Sequence, residues 1–291
     1  MERRKFLTGV GLTAAAAAGL GNLTARAGDA AAVRFGGDAA AGFDRAAAAV
    51  SLQLGIAGYT FAKIPLEQGI AMMKRVGVKA LSIKDFYLPL DSTPEVVHGM
   101  VEKFSSNGLR IYAAGVIYMK TQQEVDRTFE YAKLLGIDLI VGAPNPELLT
   151  YVEQKVKTYN IRLAIHNHGP EDKLYPSPVD VYEHIKGLDP RMGLCLDIGH
   201  ATRAGANLVE VIGKYSSRLF DVHIKDLSVV TRESKVIELG RGVLDIPAVM
   251  KALKKIKFTG YCSIEHEMDM SDPLPGIAES VGYFRGVDRV V

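Results

Sequence analysis

Four short apolar runs in the second half of the chain end in residues that can ligate a metal or carry a proton. They read Ala164-Ile165-His166-Asn167-His168-Gly169, Cys195-Leu196-Asp197-Ile198-Gly199-His200, Asp221-Val222-His223-Ile224-Lys225-Asp226 and Ser263-Ile264-Glu265-His266-Glu267. Side chains alternate along a strand. His166 and His168 therefore share a face, as do His223 and Lys225, and Glu265 and Glu267. If His166, Asp197, His223 and Glu265 all point inward, neighbouring strands supply two imidazoles and two carboxylates. Such a set suits a divalent ion such as manganese, zinc or cobalt. Any one of these residues alone reads as a hydrogen-bonded core group. Four at successive strand ends point to a metal, because such groups are costly to bury unless paired or ligating.

Several further residues carry two readings each. Lys84, in Ser82-Ile83-Lys84-Asp85, could bind an anionic or enolate oxygen of a substrate. Equally it could pair with a carboxylate such as Asp85 or Glu267. Lys225 could act as a general acid/base or an electrostatic stabiliser, or pair with Asp197 or Asp221. Arg241, between Gly240 and Gly242, could clamp a substrate hydroxyl or phosphate. As an exposed arginine it reads first as a surface turn residue. Tyr59, Phe61, Phe86, Tyr87 and Tyr118 gather at the ends of the first three strands, where an aromatic face can stack on a sugar ring. Most of them read as packing. Asn145, after Pro144, reads as a helix cap. Cys195 and Cys262 lie on non-adjacent strands and opposite faces, which argues against a disulfide. His98 and His184 fall on helices and read as solvated.

The elements that must position these residues alternate along the chain. Strand-like runs lie at 53–58, 79–84, 110–116, 137–142, 161–167, 192–198, 219–225 and 260–266. Most are rich in Ile, Val and Leu, as strands covered on both faces should be. Helical runs lie at 65–76, 93–106, 121–135, 146–159, 178–187, 207–216, 246–256 and 276–285. Start signals include Ser92-Thr93-Pro94-Glu95, Thr121 with Glu124, and Ser177-Pro178. Gly77, Gly108 and Gly136 stand just past three helices, where a left-handed cap wants no side chain. Eight such pairs in strict alternation predict a single (β/α)8 TIM barrel, an α/β fold. A doubly wound open sheet is the alternative, but it usually carries a Gly-rich phosphate loop after its first strand. Here that segment reads Gly55-Ile56-Ala57-Gly58-Tyr59-Thr60, which is not that fingerprint.

The barrel is expected over 51–291. Residues 1–27 read instead as an export signal. Arg3-Arg4-Lys5-Phe6-Leu7 is followed by a small-residue apolar run and by Ala25-Arg26-Ala27, a cleavage-site pattern. The head resembles a twin-arginine signal. The rival reading, a membrane anchor, meets an apolar run too short and too rich in Ala and Gly to span. The expectation is export to the periplasm or outside, with no stable membrane insertion after cleavage. Residues 28–50 form an Ala/Gly-rich spacer with a short helix near 44–50.

The 291 residues are 48% hydrophobic and 23% charged, an ordinary globular balance. The formal charge is +2; cleavage would remove four bases and one acid and leave it at −1. Neither value gives a field for nucleic acid, and none is expected as a partner. Two cysteines make neither a disulfide framework nor a cysteine-rich zinc site.

The motifs Asp197-Ile198-Gly199-His200, His223-Ile224-Lys225-Asp226, Gly240-Arg241-Gly242-Val243-Leu244-Asp245 and Ser263-Ile264-Glu265 resemble the xylose isomerase-like TIM barrel superfamily of sugar phosphate isomerases and epimerases. The resemblance covers essentially all of 51–291. It implies that Asp197, His223 and Glu265 hold a divalent metal and that His200 contacts substrate or a second metal. The family's fourth ligand is a Glu ending strand five; this chain has His166. Family members often carry an acid at strand two, where Lys84 stands.

These observations predict a metal-dependent isomerase or epimerase acting on a sugar or keto-sugar through an enediolate. Glu265, Lys225 and His200 are the proton-transfer candidates. His168, Lys84, Arg241 and Tyr59 are the substrate-binding candidates. The same chemistry would make a lyase if a leaving group sits β to the carbanion, as in a 3-keto glycoside. The altered strand-five ligand and the export signal make that a serious alternative within the same class. Two other classes are an apurinic-site endonuclease, disfavoured by charge, and a non-catalytic, metal-assisted sugar-binding protein. The chain is compatible with an oligomer.

Overall fold

The computed structural model describes residues 51–291. The expected signal at 1–27 and the spacer with its short helix lie outside the described residues.

The barrel strands are β1 (Gln53–Ala57), β2 (Ala80–Ile83), β3 (Arg110–Met119), β4 (Leu139–Pro144), β5 (Arg162–His166), β6 (Met192–Asp197) and β7 (Leu219–Ile224). After β7 the two-residue strands β8 (Asp226–Leu227) and β9 (Val236–Ile237) pair as an antiparallel ribbon, and β10 (Tyr261–Ile264) completes the barrel. Every barrel pair is parallel, and β1 pairs with both β2 and β10. The sheet is therefore closed, as the eightfold alternation predicts, and an open doubly wound sheet is excluded.

The connecting helices are α1 (Leu66–Val76), α2 (Pro94–Ser106), α3 (Gln122–Leu135), α4 (Leu149–Tyr159), α5 (Pro178–Ile185), α6 (Ile198–Arg203), α7 (Leu208–Lys214), α8 (Ile246–Lys255) and α9 (Leu274–Val290). Their ends follow from local chemistry. Thr121 and Glu124 form a reciprocal capping box on α3, and the Ser177 hydroxyl accepts from the Asp180 amide on α5. Gly77 and Gly136 end α1 and α3 at φ 68°, a conformation that costs glycine no steric penalty. The inward stripe of α3 is Val125, Phe129 and Ala132, at the spacing of one helical face.

Strand parity sorts the core into two layers. Leu163, Ile165, Leu194, Leu196, Val222, Ile224, Cys262 and Ile264 pack outward against the helices. Ala164 and Cys195 join Tyr112 and Val141 inside the barrel. The same alternation turns His166, Asp197, His223, Lys225, Glu265 and Glu267 inward at the strands' C-terminal ends. Cys195 and Cys262 are both free and buried, on opposite sides of the sheet. His98 and His184 are exposed on α2 and α5. Two elements were not anticipated. One is α6, whose N-cap is Asp197, the last residue of β6. The other is the β8–β9 ribbon, whose strands are too short to show a period.

Candidate metal centre and reaction pocket

Register brings the four expected ligands to one level. Asp197 pairs with His223, His223 with Ser263, and His166 with Cys195. His166 Nε2 lies 3.1 Å from His223 Nδ1 and 3.5 Å from Asp197 Oδ2. His223 Nδ1 lies 3.4 Å from Glu265 Oε2. One donor atom from each of the four residues falls within 4.8 Å of every other, and all four residues are buried. Ligands ~2.0–2.2 Å from a tetrahedral ion sit ~3.3–3.6 Å from one another. The donor spacings and the mixed nitrogen and oxygen set therefore fit a divalent metal.

Asp197 is held from behind. The Asn167 amide donates to the Asp197 carbonyl (3.1 Å) and accepts from the Asp197 backbone amide (3.0 Å). Asp197 Oδ1 accepts from the His200 amide at 2.8 Å, capping α6, so only Oδ2 faces the cluster. That cap fixes the Asp-x-x-His spacing. Burial holds His166 down to about 3, so its ring is neutral and able to ligate at working pH. Burial opposes the charges on Asp197 and Glu265, but the Lys225 ammonium outweighs it and holds both carboxyls below their ordinary range.

Lys225 closes the other side of the cluster. Its Nζ lies 2.9 Å from Asp197 Oδ2, 2.6 Å from Glu265 Oε2 and 2.7 Å from Glu267 Oε1, and its side chain is 1% exposed. Of its two sequence-level pairings, Asp197 is observed and Asp221 is not. Burial alone would lower the Lys225 pKa, but three carboxylates raise it well above the usual value. Asp221 sits deeper in the barrel, where its Oδ2 accepts from the Tyr112 hydroxyl at 2.9 Å, and burial pushes its carboxyl up to about 6.

Above the cluster opens a cavity of about 300 Å³, within the range of small-molecule sites. Tyr59, Lys84, His168, His200, Glu265 and Glu267 line it, with His166 on its wall. Lys84 donates to the Val116 carbonyl (2.8 Å) and pairs with Asp85 (3.1 Å) rather than Glu267. His168 stacks on Tyr118, and their Nε2 and hydroxyl atoms lie 2.8 Å apart.

The model of the xylose isomerase-like TIM barrel family matches residues 117–287, more than half of the chain. The chain belongs to this family. Among curated relatives, the rhizopine catabolism protein MocC of Rhizobium meliloti is 25% identical over 150 residues, 46% of each protein. The inosose isomerase of Bacillus subtilis is 24% identical over 157 residues, 47% of this chain and 56% of the relative. The chain spans about half the length of the curated relatives it matches.

Solved structures align over most of the xylose isomerase-like barrel. An uncharacterized protein from Parabacteroides distasonis is 27% identical with a TM-score of 0.65, covering 81% of this chain and 98% of the other. The IolI protein, solved with a bound zinc atom, is 19% identical with a TM-score of 0.68, covering 82% and 98%. The 3-keto-D-glucoside 4-epimerase YcjR of E. coli is 16% identical with a TM-score of 0.64, covering 81% and 99%. The last two likenesses show the fold alone.

Within this xylose isomerase-like barrel, the ligand candidates and most substrate candidates meet at one site. Arg241 does not. It is exposed and makes a two-pronged pair with Glu279 on α9, at 2.5 and 2.7 Å. The turn it sits in is organised by Asp226. The Asp226 carboxylate accepts from the amides of Leu227, Gly240, Gly242 and Leu244 at 2.8–3.1 Å. A side chain at Gly242 would strike that carboxylate. The glycine-rich motif is thus a structural knot, and the arginine points its charge elsewhere. Phe61 and Tyr87 pack: Phe61 is buried, and the Tyr87 hydroxyl donates to the Ile64 carbonyl at 2.7 Å. Asn145 stands at the cap position of a short 3-10 turn, but its amide binds the Glu147 carboxylate. Sequence reasoning gave Asn167 no role in the site, offered Tyr118 only as one of five aromatic residues at the strand ends, and offered Glu267 only as a candidate partner of Lys84. Parity with Glu265 was the signal for Glu267.

Proposed function

We propose that the chain is a divalent-metal-dependent sugar isomerase or epimerase, working by proton transfer beside a carbonyl through an enediolate. The observation that carries this reading is the convergence of His166, Asp197, His223 and Glu265 beneath a pocket whose walls hold proton-carrying groups. The names of the curated relatives and structural neighbours, an inosose isomerase and a 3-keto-D-glucoside epimerase, support it. A bound ion would supply Lewis-acid stabilisation of the oxygen charge that develops when the proton leaves.

The chain's own residues do the rest. His200 presents an imidazole to the pocket, and Glu267 a carboxylate tied to Lys225 through Oε1. These are the groups placed to take and return a proton, with Glu265 beside them. Lys225 fixes the positions of three carboxylates and keeps their charge compensated in the buried interior. Tyr59, His168 and Lys84 shape the mouth and orient the sugar.

A second reading follows from His166. It stands where the family resemblance places a carboxylate, so one of two opposed proton acceptors is absent. That favours one-sided proton removal with loss of a β leaving group, as in a lyase acting on a 3-keto glycoside. Export by the twin-arginine signal belongs to the same proposal; it favours a free sugar or glycoside over a sugar phosphate as substrate.

The test is proton exchange. Ketoses and 3-keto glycosides are incubated with the metal-loaded protein in deuterated water and followed by NMR. Metal-dependent deuterium incorporation beside the carbonyl is expected, with elimination products marking the lyase. Sugar binding without exchange or turnover would replace both readings by a non-catalytic, metal-assisted sugar-binding protein.

A further inference from the structure

A second cavity of about 390 Å³ lies beside the reaction pocket, and the two share His200 and Glu267 as common walls. Lys225 lines the second cavity from the cluster side. Gly199, in the same lining, makes room for Lys225: a methyl group there would come within 2.8 Å of the lysine stem. The two proton-carrying candidates thus line both cavities.

The lining of the second chamber is amphipathic. Leu227, Val236 and Met268 supply apolar surface, and Ser234, Lys235 and Asp269 supply donors and acceptors. Lys235 makes no ion pair among the described residues. Arg203, on the same wall, is paired with Glu171, yet its buried Nε has no hydrogen-bond partner. A buried N–H without an acceptor is costly until something accepts from it. Of the three cations that line the chamber, Arg203 and Lys225 are paired with carboxylates, and Lys235 is matched in the lining by Asp269, so little net positive charge is left to select an anion. Apolar patches beside mixed donors and acceptors match a neutral hydroxylated ring, which has C–H faces and a rim of hydroxyl groups.

We infer that the chain takes a two-ring sugar, with one ring in each chamber and the linkage passing between His200 and Glu267. The inference rests on the sugar-enzyme reading above and narrows its substrate class to disaccharides and similar glycosides. It places the bond between the rings beside the proton-carrying groups.

Calorimetric titration of the full chain with D-glucose, trehalose, maltose, cellobiose and glucose 6-phosphate tests it. At least one disaccharide should bind about tenfold more tightly than glucose. Ser234→Trp, which fills the second chamber, should erase that preference and leave glucose affinity unchanged. Lys235→Ala, which adds no bulk, should weaken the disaccharide several-fold and glucose not at all. Equal affinity for glucose and all three disaccharides, or a preference that survives both variants, overturns the inference and leaves the sugar-enzyme reading standing. Tightest binding of glucose 6-phosphate, lost in Lys235→Ala, would make the chamber an anion site and also overturn it. Failure of every sugar to bind would overturn the inference, and the sugar-enzyme reading would then rest on the exchange test with ketoses and 3-keto glycosides.

Discussion

His166 Nε2 lies 3.1 Å from His223 Nδ1 although β6 stands between their two strands. The rings meet across Asp197, so the site depends on how the end of β6 is held. Asn167 holds it through two hydrogen bonds to the Asp197 backbone. Asn167→Ala should therefore stay folded and lose ~10–100-fold in affinity for zinc or manganese, the usual cost of removing a group that orients a ligand. Metal titration by calorimetry reads this directly; unchanged affinity would show that Asn167 only fills space.

Lys225→Met removes the one ammonium among three buried or half-buried carboxylates. Breaking a buried pair by removing one partner costs ~3–5 kcal/mol. Urea unfolding of the metal-free protein should show a loss of that order, and added divalent metal should restore part of it. A loss under ~1 kcal/mol would mean that the carboxylates repack or take up protons at little cost.

Two neighbouring substitutions should separate structure from recognition in the glycine-rich turn. Arg241→Ala should leave both the unfolding midpoint and sugar binding unchanged, because its pair with Glu279 is exposed and outside the pocket. Asp226→Ala should cost at least ~3 kcal/mol, because four backbone amides lose their acceptor. Sugar affinity that falls in Arg241→Ala would return the arginine to the site.

Most of this architecture was legible in the residues. Strand parity placed His166 with His168, His223 with Lys225 and Glu265 with Glu267 on shared faces, but that all four ligand candidates turn inward stood only as a condition, because strands covered on both faces are apolar on both sides. Helix caps were legible because Thr121, Ser177 and the glycines act on atoms within a few residues. What sequence could not carry was long-range pairing. Arg241 finds Glu279 on α9, and Asp226 reaches the turn at 240–244; no local spacing signals either contact. The α6 helix was hidden because its cap, Asp197, was already counted as a ligand. One carboxylate does both, with Oδ1 on the helix and Oδ2 on the cluster.

The barrel is also clasped where the described chain begins. Asp288 on α9 accepts from the Ser51 hydroxyl (2.7 Å) and the Leu52 amide (3.2 Å) and pairs with Lys254 (3.2 Å). Burial would raise its carboxyl, but these partners outweigh it and hold it below the ordinary range. Its contribution is therefore present above the unfolded carboxylate value near ~4 and is lost as pH falls through the lowered native value. Asp288→Asn should cost ~1–3 kcal/mol at pH 7, and the gap to wild type should shrink below pH ~4. A gap independent of pH would show that the charge contributes nothing.

The proposed chemistry requires the four strand ends to hold a metal ion. Elemental analysis of the folded, purified protein beside a His223→Ala variant tests it most directly. About one equivalent of a divalent metal is expected in the wild-type chain, or its uptake on adding manganese, cobalt or zinc, and none in the variant. A wild-type protein that takes up no metal under any of these conditions would contradict it. The strand ends would then be a hydrogen-bonded network.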